Sequence, residues 1–572
     1  MKSIVKILGK YKKETILAPL FKLLEASFEL SVPLVVASLI DNGILKENKS
    51  HIVYSFFLLV LLAIVGLISS VTAQYFSAKA AIGVSTQLRS DMFAKIQGFS
   101  FSELDKLGTS TMITRMTSDI NQVQNGVNMF LRLFLRSPFI VFGAMIMAFT
   151  VDGKSALVFA GAIPVLMVVV FAIILVSIPL YKKSQQNLDK LTAKTRENLS
   201  GVRVIRAFCQ EEKEIKAFRL LNETLNQSQK YVGRISALMN PVTYVIINVA
   251  IMILIYIGAL RVDSGQITQG AVVALYNYMS QILVELIKLA NLIITLTKSV
   301  ACAHRVETIL AVNSTLQTMS EDDEKAKTDN ENYIVFENVG LTYQNAGEES
   351  LSDISFSVKK GETVGIIGGT GSGKSSLVNL IPHFYDCTRG NIYIDGINVK
   401  ACSPEKLREK VGIVLQKAVL FRGSIRENIL WGNPNATETE IRKAIEISQS
   451  KDVIDSKKDG LDERVEQGGR NLSGGQKQRL TIARALVRNP EILILDDSSS
   501  ALDYATDAKL RQAIKLTDKE MTVFIVSQRT SSIVSADKII VLDDGRIVGI
   551  GTHEELLKHC RVYQEIHLSQ TK

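Results

Sequence analysis

The sequence predicts two parts of different fold class in one chain: an all-α domain of six membrane-spanning helices, then an α/β domain built around a phosphate-binding loop. Three observations carry this. Long apolar runs fill residues 15 to 300 and stop there. Residues 333 to 572 have the composition of an ordinary soluble domain. Within that stretch a glycine-rich string ends in Lys374-Ser375, with an apolar strand before it and a helical pattern after it.

The length of 572 residues allows two or three domains. The hydrophobic fraction of 47% is within the range of soluble proteins, so the distribution of apolar residues decides the class rather than their number. The formal charge is +9, and much of the surplus flanks the apolar runs, as expected of cytoplasmic loops. No Lys/Arg block is interleaved with aromatics, so no nucleic-acid partner is expected. Cys209, Cys302, Cys387, Cys402 and Cys560 lack metal-ligand spacing and are expected to be reduced thiols. The N-terminus lacks a small-residue cleavage site after a short apolar run, so a cleavable signal peptide is not expected.

Residues 1–14, basic and amphipathic, read as an interfacial helix on the cytoplasmic face. Residues 15–311 read as the membrane domain. Its six spans are Thr15–Asp41, Ile52–Ala78, Val127–Thr150, Ala156–Leu180, Pro241–Leu260 and Ala271–Lys298, the last interrupted by Glu285 and Lys288. The connections after the second and fourth spans are long and basic, whereas those after the first, third and fifth are short. Both termini and the phosphate-loop domain of this multi-pass membrane protein are therefore expected in the cytoplasm. Helical periodicity in the long connections predicts cytoplasmic extensions that turn at short transverse helices near Phe101–Leu107 and Ser200–Ala207.

Ionisable groups within spans are costly and mark function or pairing. Glu25 and Glu29 share one helix face, as do Arg132 and Arg136 just before Pro138. Two readings follow: the carboxylates attract a cationic substrate, or they pair with these arginines. Residues 312–332, polar and acidic, read as a linker, and residues 333–572 as the nucleotide-binding domain.

In that domain the string Gly368-Gly369-Thr370-Gly371-Ser372-Gly373-Lys374-Ser375, with Ser376 next, has the composition needed to cradle ATP phosphates. Glycines let backbone N–H groups turn inward, Lys374 reaches the outer phosphates, and the Ser375 hydroxyl suits Mg²⁺. The strand Ile492–Leu495 ends in Asp496, placed for a second Mg²⁺ contact.

Between these lies Asn471-Leu472-Ser473-Gly474-Gly475-Gln476, which resembles the signature of the ATP-binding cassette (ABC) proteins. The resemblance covers the whole chain, since six spans followed by one cassette is the layout of an exporter half. It implies that Tyr343 stacks on adenine, that Gln416 senses Mg²⁺ and faces the membrane domain, and that Asp503, in Ser500-Ala501-Leu502-Asp503, belongs to a loop crossing a cassette dimer. It also implies that Leu472, Ser473, Gly474, Gly475 and Gln476 complete the ATP site of a second subunit rather than their own.

Two positions depart from the family. Asp497 stands where glutamate polarises the attacking water, and it is shorter by about 1.5 Å, one carbon–carbon bond. Gln528 stands where a switch histidine is usual, and an amide cannot carry a proton's charge. The expectation is a hydrolysis-impaired ATP site in a heterodimer that resembles bacterial multidrug ABC exporters. The partner would be a second, non-identical half-transporter carrying the glutamate and histidine. The cargo would be hydrophobic or amphipathic, drug-like or lipid, leaving the cytoplasm or inner leaflet. A slow homodimeric exporter, an ATP-gated membrane regulator and an importer on the same scaffold stay open.

Overall fold

The computed structural model of the protein describes residues 2–312, 332–343, 346–517 and 520–570. The linker expected at 312–332 lies outside the described residues, apart from its two ends. The chain forms two compact units, Met1–Lys95 with Ser110–Val312, and Ile96–Thr109 with Asn313–Lys572.

The chain opens on α1 (Lys2–Leu8), α2 (Lys12–Ser38), α3 (Lys49–Gln97), α4 (Phe101–Leu107), α5 (Thr109–Thr114), α6 (Ile120–Leu133) and α7 (Arg136–Val151). It continues through α8 (Gly153–Ser200), α9 (Val202–Ala207), α10 (Glu211–Ala237), α11 (Met239–Asp263) and α12 (Gln269–Leu310). Among the described residues, six helical stretches are long and apolar enough to cross a membrane. Each expected span falls inside one of them. The short turns expected after α3 and α8 form as α4 and α9.

The third span is not one helix. Phe134 and Leu135 interrupt it between α6 and α7. Pro138 explains the break: it has no N–H to bond the Phe134 carbonyl, and its ring crowds that oxygen. Arg132 and Arg136 therefore flank a discontinuity.

Helix α12 packs against α2, α6, α7 and α11 and carries the core of the first unit, including Leu275, Tyr278, Met279 and Ile282. The Tyr278 hydroxyl donates to the Leu30 carbonyl at 2.8 Å. Helix α6 approaches α12 at Gly126, where a Cβ would lie 2.1 Å from Ser299 Oγ, so no larger side chain fits without displacement. Outward faces are the reverse of a soluble protein: Phe57, Leu61, Leu67 and Val71 on α3 are more than half exposed, which suits lipid.

The charged groups of these helices converge. Arg136, buried, reaches Glu285 Oε1 and Glu29 Oε2 at 2.6 Å each, and Glu25 at 4.0 Å. Ser137 Oγ and Lys288 Nζ donate to Glu285 at 2.8 and 2.7 Å. Glu25 pairs with Lys22, which also donates to Ser70 at 3.1 Å. Of the two readings of Glu25 and Glu29, the geometry supports pairing, with one of the two arginines the sequence suggested and with a lysine it did not. Arg136 is engaged by both glutamates, Lys22 is added, and Arg132 has no ion pair among the described residues.

In the second unit, α4 packs through Phe101, whose ring meets Phe384 edge-on at 4.3 Å. The Tyr385 hydroxyl donates to Asp105 at 2.7 Å. Among the described residues, twelve strands follow in order: β1 (Ile334–Leu341), β2 (Leu351–Val358), β3 (Thr363–Gly368), β4 (Arg389–Ile394), β5 (Ile397–Asn398) and β6 (Val411–Val414), then β7 (Gly423–Ser424), β8 (Arg464–Val465), β9 (Ile492–Asp496), β10 (Thr522–Val526), β11 (Lys538–Asp543) and β12 (Arg546–Gly551). The main sheet has the order β12-β11-β3-β10-β9-β6 and is parallel except for β12. Strands β9 and β10 are buried along their whole length, which is why they read as unbroken apolar runs. A second, antiparallel sheet has the order β2-β1-β4-β5. All five cysteines are free thiols, as expected.

The buried guanidinium gives a first prediction. Arg136→Gln leaves Glu29 and much of Glu285 uncompensated, and is expected to destabilise the protein by about 3 kcal/mol. Melting curves of the purified protein in detergent would read this; an unchanged midpoint would refute the structural weight given to Arg136.

Candidate nucleotide site

Strand β3 delivers the chain into a loop whose path only glycine permits at two points. Gly371 and Gly373 have φ of +86° and +92°, and a Cβ on Gly373 would meet Leu351 Cδ2 at 2.7 Å and the Ser350 carbonyl at 2.9 Å. The loop closes onto the helix Lys374–Leu380. Lys374 is only 8% exposed, and its ammonium donates to the carbonyls of Gly368 and Gly369 at 2.9 and 2.6 Å. Burial pulls its pKa down, opposed by the negative charges of Asp497 and Asp496. A desolvated ammonium beside a loop of this shape is suited to phosphate oxygens, which would compete for the bonds it now gives to carbonyls.

Ser375 Oγ donates to Asp496 Oδ1 at 2.9 Å. This hydroxyl and carboxylate, with the Gln416 amide nearby, form a set of hard oxygen donors that fits Mg²⁺ beside a nucleotide. Asp496 is buried at the end of β9, and burial raises its pKa, with the charge of Asp497 adding to the effect. Asp497 follows with a left-handed backbone, φ 47° and ψ 29°, a conformation that aspartate tolerates better than most residues. Burial raises its pKa too, opposed by the hydrogen bond from Gln416 and by the charges of Lys374 and Arg529. The Gln416 Nε2 contact to Asp497 Oδ2 is long, at 3.4 Å.

A cavity of about 730 Å³ gathers these groups. Lys374, Ser375, Gln416, Asp496, Asp497 and Gln528 line it together with Thr370, Gly371, Gly373 and Ser376 of the loop. The register of the sheet explains the convergence. Gly368 ends β3, Asp496 ends β9, Gln416 lies just past β6 and Gln528 just past β10, so all face the carboxyl edge of parallel strands.

Other residues singled out from the sequence stand elsewhere. Gly368 and Ser372 belong to the packing beneath the loop: Ser372 is 4% exposed, and a Cβ on Gly368 would lie 2.1 Å from the Leu542 carbonyl. Gly369 contributes its carbonyl to Lys374. Tyr343 does not line the cavity; its hydroxyl donates to Ser376 Oγ at 2.9 Å and its ring meets Tyr385 edge-on at 5.1 Å. Asp503 is exposed and caps Thr506 through its backbone N–H at 2.9 Å, which holds its pKa below the usual carboxylate range. Ser473 caps the helix Gly474–Leu486 in a reciprocal box with Gln476, and Leu472 is buried beneath it. None of the five signature residues lines the cavity.

The sequence reading missed Glu348, Glu349, Asp544 and Gly545, which also line the cavity. Asp544-Gly545 is legible as a hairpin turn between β11 and β12, but nothing local signals that this turn borders the phosphate loop.

A family profile described as ABC transporter transmembrane region matches residues 15–286, and one described as ABC transporter matches residues 351–500. An uncharacterised ABC transporter ATP-binding protein of Mycobacterium tuberculosis is 36% identical over 567 residues, covering 98% of this chain and 96% of its own. The uncharacterised ABC transporter ATP-binding protein YfiB of Bacillus subtilis is 34% identical over 571 residues, covering 100% and 98%. YgaD of the same organism, a putative multidrug export ATP-binding/permease protein, is 31% identical and covers 100% and 99%. Among solved structures, a bacterial Atm1-family ABC exporter with ATP bound has the same fold, with a TM-score of 0.81 and 23% identity over 98% of each chain.

Ser375→Ala removes the hydroxyl that joins the loop to Asp496. ATP affinity at this site is expected to fall about tenfold with Mg²⁺ present, the loss of one charge-assisted contact. With EDTA it should fall less than about threefold. Equal losses in titrations with and without the metal would remove Ser375 from the metal-binding set.

Proposed function

The chain belongs to the ABC transporter family, and we propose that it is one subunit of a heterodimeric exporter whose own phosphate loop forms a hydrolysis-impaired ATP site. The observation that carries this reading is the meeting of both departures in one place: Asp497 and Gln528 line the cavity that holds Lys374. A general base has to reach the water it activates, and Asp497 is short by one methylene. A neutral amide at 528 can hydrogen-bond the outer phosphate but cannot bring positive charge to it.

In this reading Ser375, Gln416 and Asp496 would hold Mg²⁺, which would neutralise phosphate charge. Lys374 and the loop amides bind and orient the phosphates. Tyr343 turns from Ser376 to the adenine when nucleotide enters. Leu472, Ser473, Gly474, Gly475 and Gln476 stand apart from the chain's own cavity, which supports a role at the partner's ATP. The partner supplies the glutamate and the histidine. Asp503 lies at the subunit boundary. The exported compounds are hydrophobic or amphipathic; the name of the relative YgaD assigns multidrug export to that protein. The basic long connections favour both termini and the cassette on the cytoplasmic side of the plasma membrane.

Site asymmetry tests the arrangement. In the purified two-subunit complex, Ser473→Ala is expected to lower ATP turnover at least about tenfold, whereas Lys374→Ala lowers it less than about threefold. The reverse order would refute the assignment, as would strong turnover by a homodimer.

The chemistry itself is tested by restoration. Asp497→Glu with Gln528→His should raise phosphate release from a complex whose partner glutamate is disabled. Water positioning and phosphate contact act as a unit, so the double variant should exceed the sum of the single ones. No gain from the double variant would place the impairment outside these two residues.

A further inference from the structure

A second cavity, of about 470 Å³, lies within the membrane unit. Lys22, Ser70, Arg132, Arg136 and Lys288 line it, with Glu25 as its one carboxylate. The wider cluster sets four cations, Lys22, Arg132, Arg136 and Lys288, against the three carboxylates Glu25, Glu29 and Glu285. One positive charge is left over. Its owner is identifiable: Lys22 is held by Glu25, Lys288 by Glu285, and Arg136 by Glu29 and Glu285, whereas Arg132 has no ion pair among the described residues. The Nε atoms of Arg132 and Arg136 are both buried and lack an acceptor among the described residues. A guanidinium in a segment of low dielectric strongly favours a counter-anion, and its planar fork suits carboxylate and phosphate.

The break in the third span contributes to this placement. The interruption at Phe134 and Leu135 separates the helix bearing Arg132 from the one bearing Arg136, yet both arginines reach the same cavity. Met129 and Leu133 supply an apolar wall beside the charges. A cationic cavity with an apolar wall is complementary to an amphiphile with a negative head group.

We propose that this cavity is a binding site for the anionic head group, carboxylate or phosphate, of an amphipathic cargo, with Arg132 as the residue that pairs with it. The carboxylates that would attract a cationic cargo are already engaged by Lys22, Arg136 and Lys288. The inference rests on the export reading above for its claim that the ligand is cargo. Binding is measured without nucleotide, so its failure is distinguishable from failure of the site-asymmetry test.

The test uses the full chain co-purified with its partner, in phosphatidylcholine nanodiscs, and two probes with the same tail: dodecyl phosphate and dodecyltrimethylammonium. The wild type is expected to bind the phosphate probe at least about tenfold more tightly. Arg132→Gln should remove most of that preference, and Arg132→Lys should keep it within about threefold. Adding phosphatidylglycerol to the nanodiscs distinguishes the source of the head group: competition assigns it to a bilayer lipid, and no competition to a free amphiphile. Equal wild-type affinity for the two probes would overturn the proposal without any variant. So would an Arg132→Gln protein that melts normally and keeps the preference.

Discussion

The parallel ladder around β10 is the constraint on which the nucleotide site depends. Val526 pairs with Ile366 on one side and with Asp496 on the other, and Val414 pairs with Leu495 one strand further out. The Asp497 N–H continues the ladder to the Val526 carbonyl at 3.0 Å, and the Ser527 N–H to the Ile366 carbonyl at 3.0 Å. A shift of one residue in any of these pairings would turn the side chains of that strand to its opposite face. It would also withdraw Asp496, Gln416 or Gln528 from the loop that bears Lys374. The continuous burial of β9 and β10 is therefore what keeps a handful of polar groups in register.

That register also concentrates negative charge. Asp496 and Asp497 are adjacent, the first buried and the second partly so, and burial shifts the pKa of both upward. Lys374 and Arg529 are the cations acting on them, and the charge of Lys374 too is disfavoured by burial. A site in which buried charges oppose one another is tuned for a polyanion with its metal ion, since each component relieves the other's desolvation. The two family departures act within this setting. Aspartate keeps the negative charge at 497 while altering its reach, and glutamine at 528 removes a group able to become positive. In the proposed reading, nucleotide binding and nucleotide chemistry are thereby separable in one cavity.

The membrane unit solves the opposite problem, with charges placed where solvent is scarce. Glu285 accepts from Arg136, Ser137 and Lys288, so most of its acceptor capacity is used. Such a knot fixes the rotation of α2, α7 and α12 about their axes, because a turned helix would strand a charge. Apolar packing around Tyr278 and Met279 supplies the area but is tolerant of sliding, whereas the ion pairs are specific. Arg132, one turn away across a proline-induced break, is outside the knot although it shares the cavity.

The sequence by itself determined the features written in contiguous residues. Six apolar stretches of spanning length, the Lys374 loop between strand and helix, the short turns at α4 and α9, and the two departures at 497 and 528 were all legible, because span length, periodicity and loop chemistry are local properties. Tertiary structure decided what depends on rotation and register. Helical spacing put Glu25, Glu29, Arg132 and Arg136 on shared faces, but it could not say that Lys22 and Glu285 would take part or that Arg132 would be left over. Those outcomes depend on how four helices turn toward one another. For the same reason Asp544-Gly545 was readable as a turn and not as a wall of the nucleotide cavity. Its neighbours there are brought by strand order, which no stretch of adjacent residues encodes.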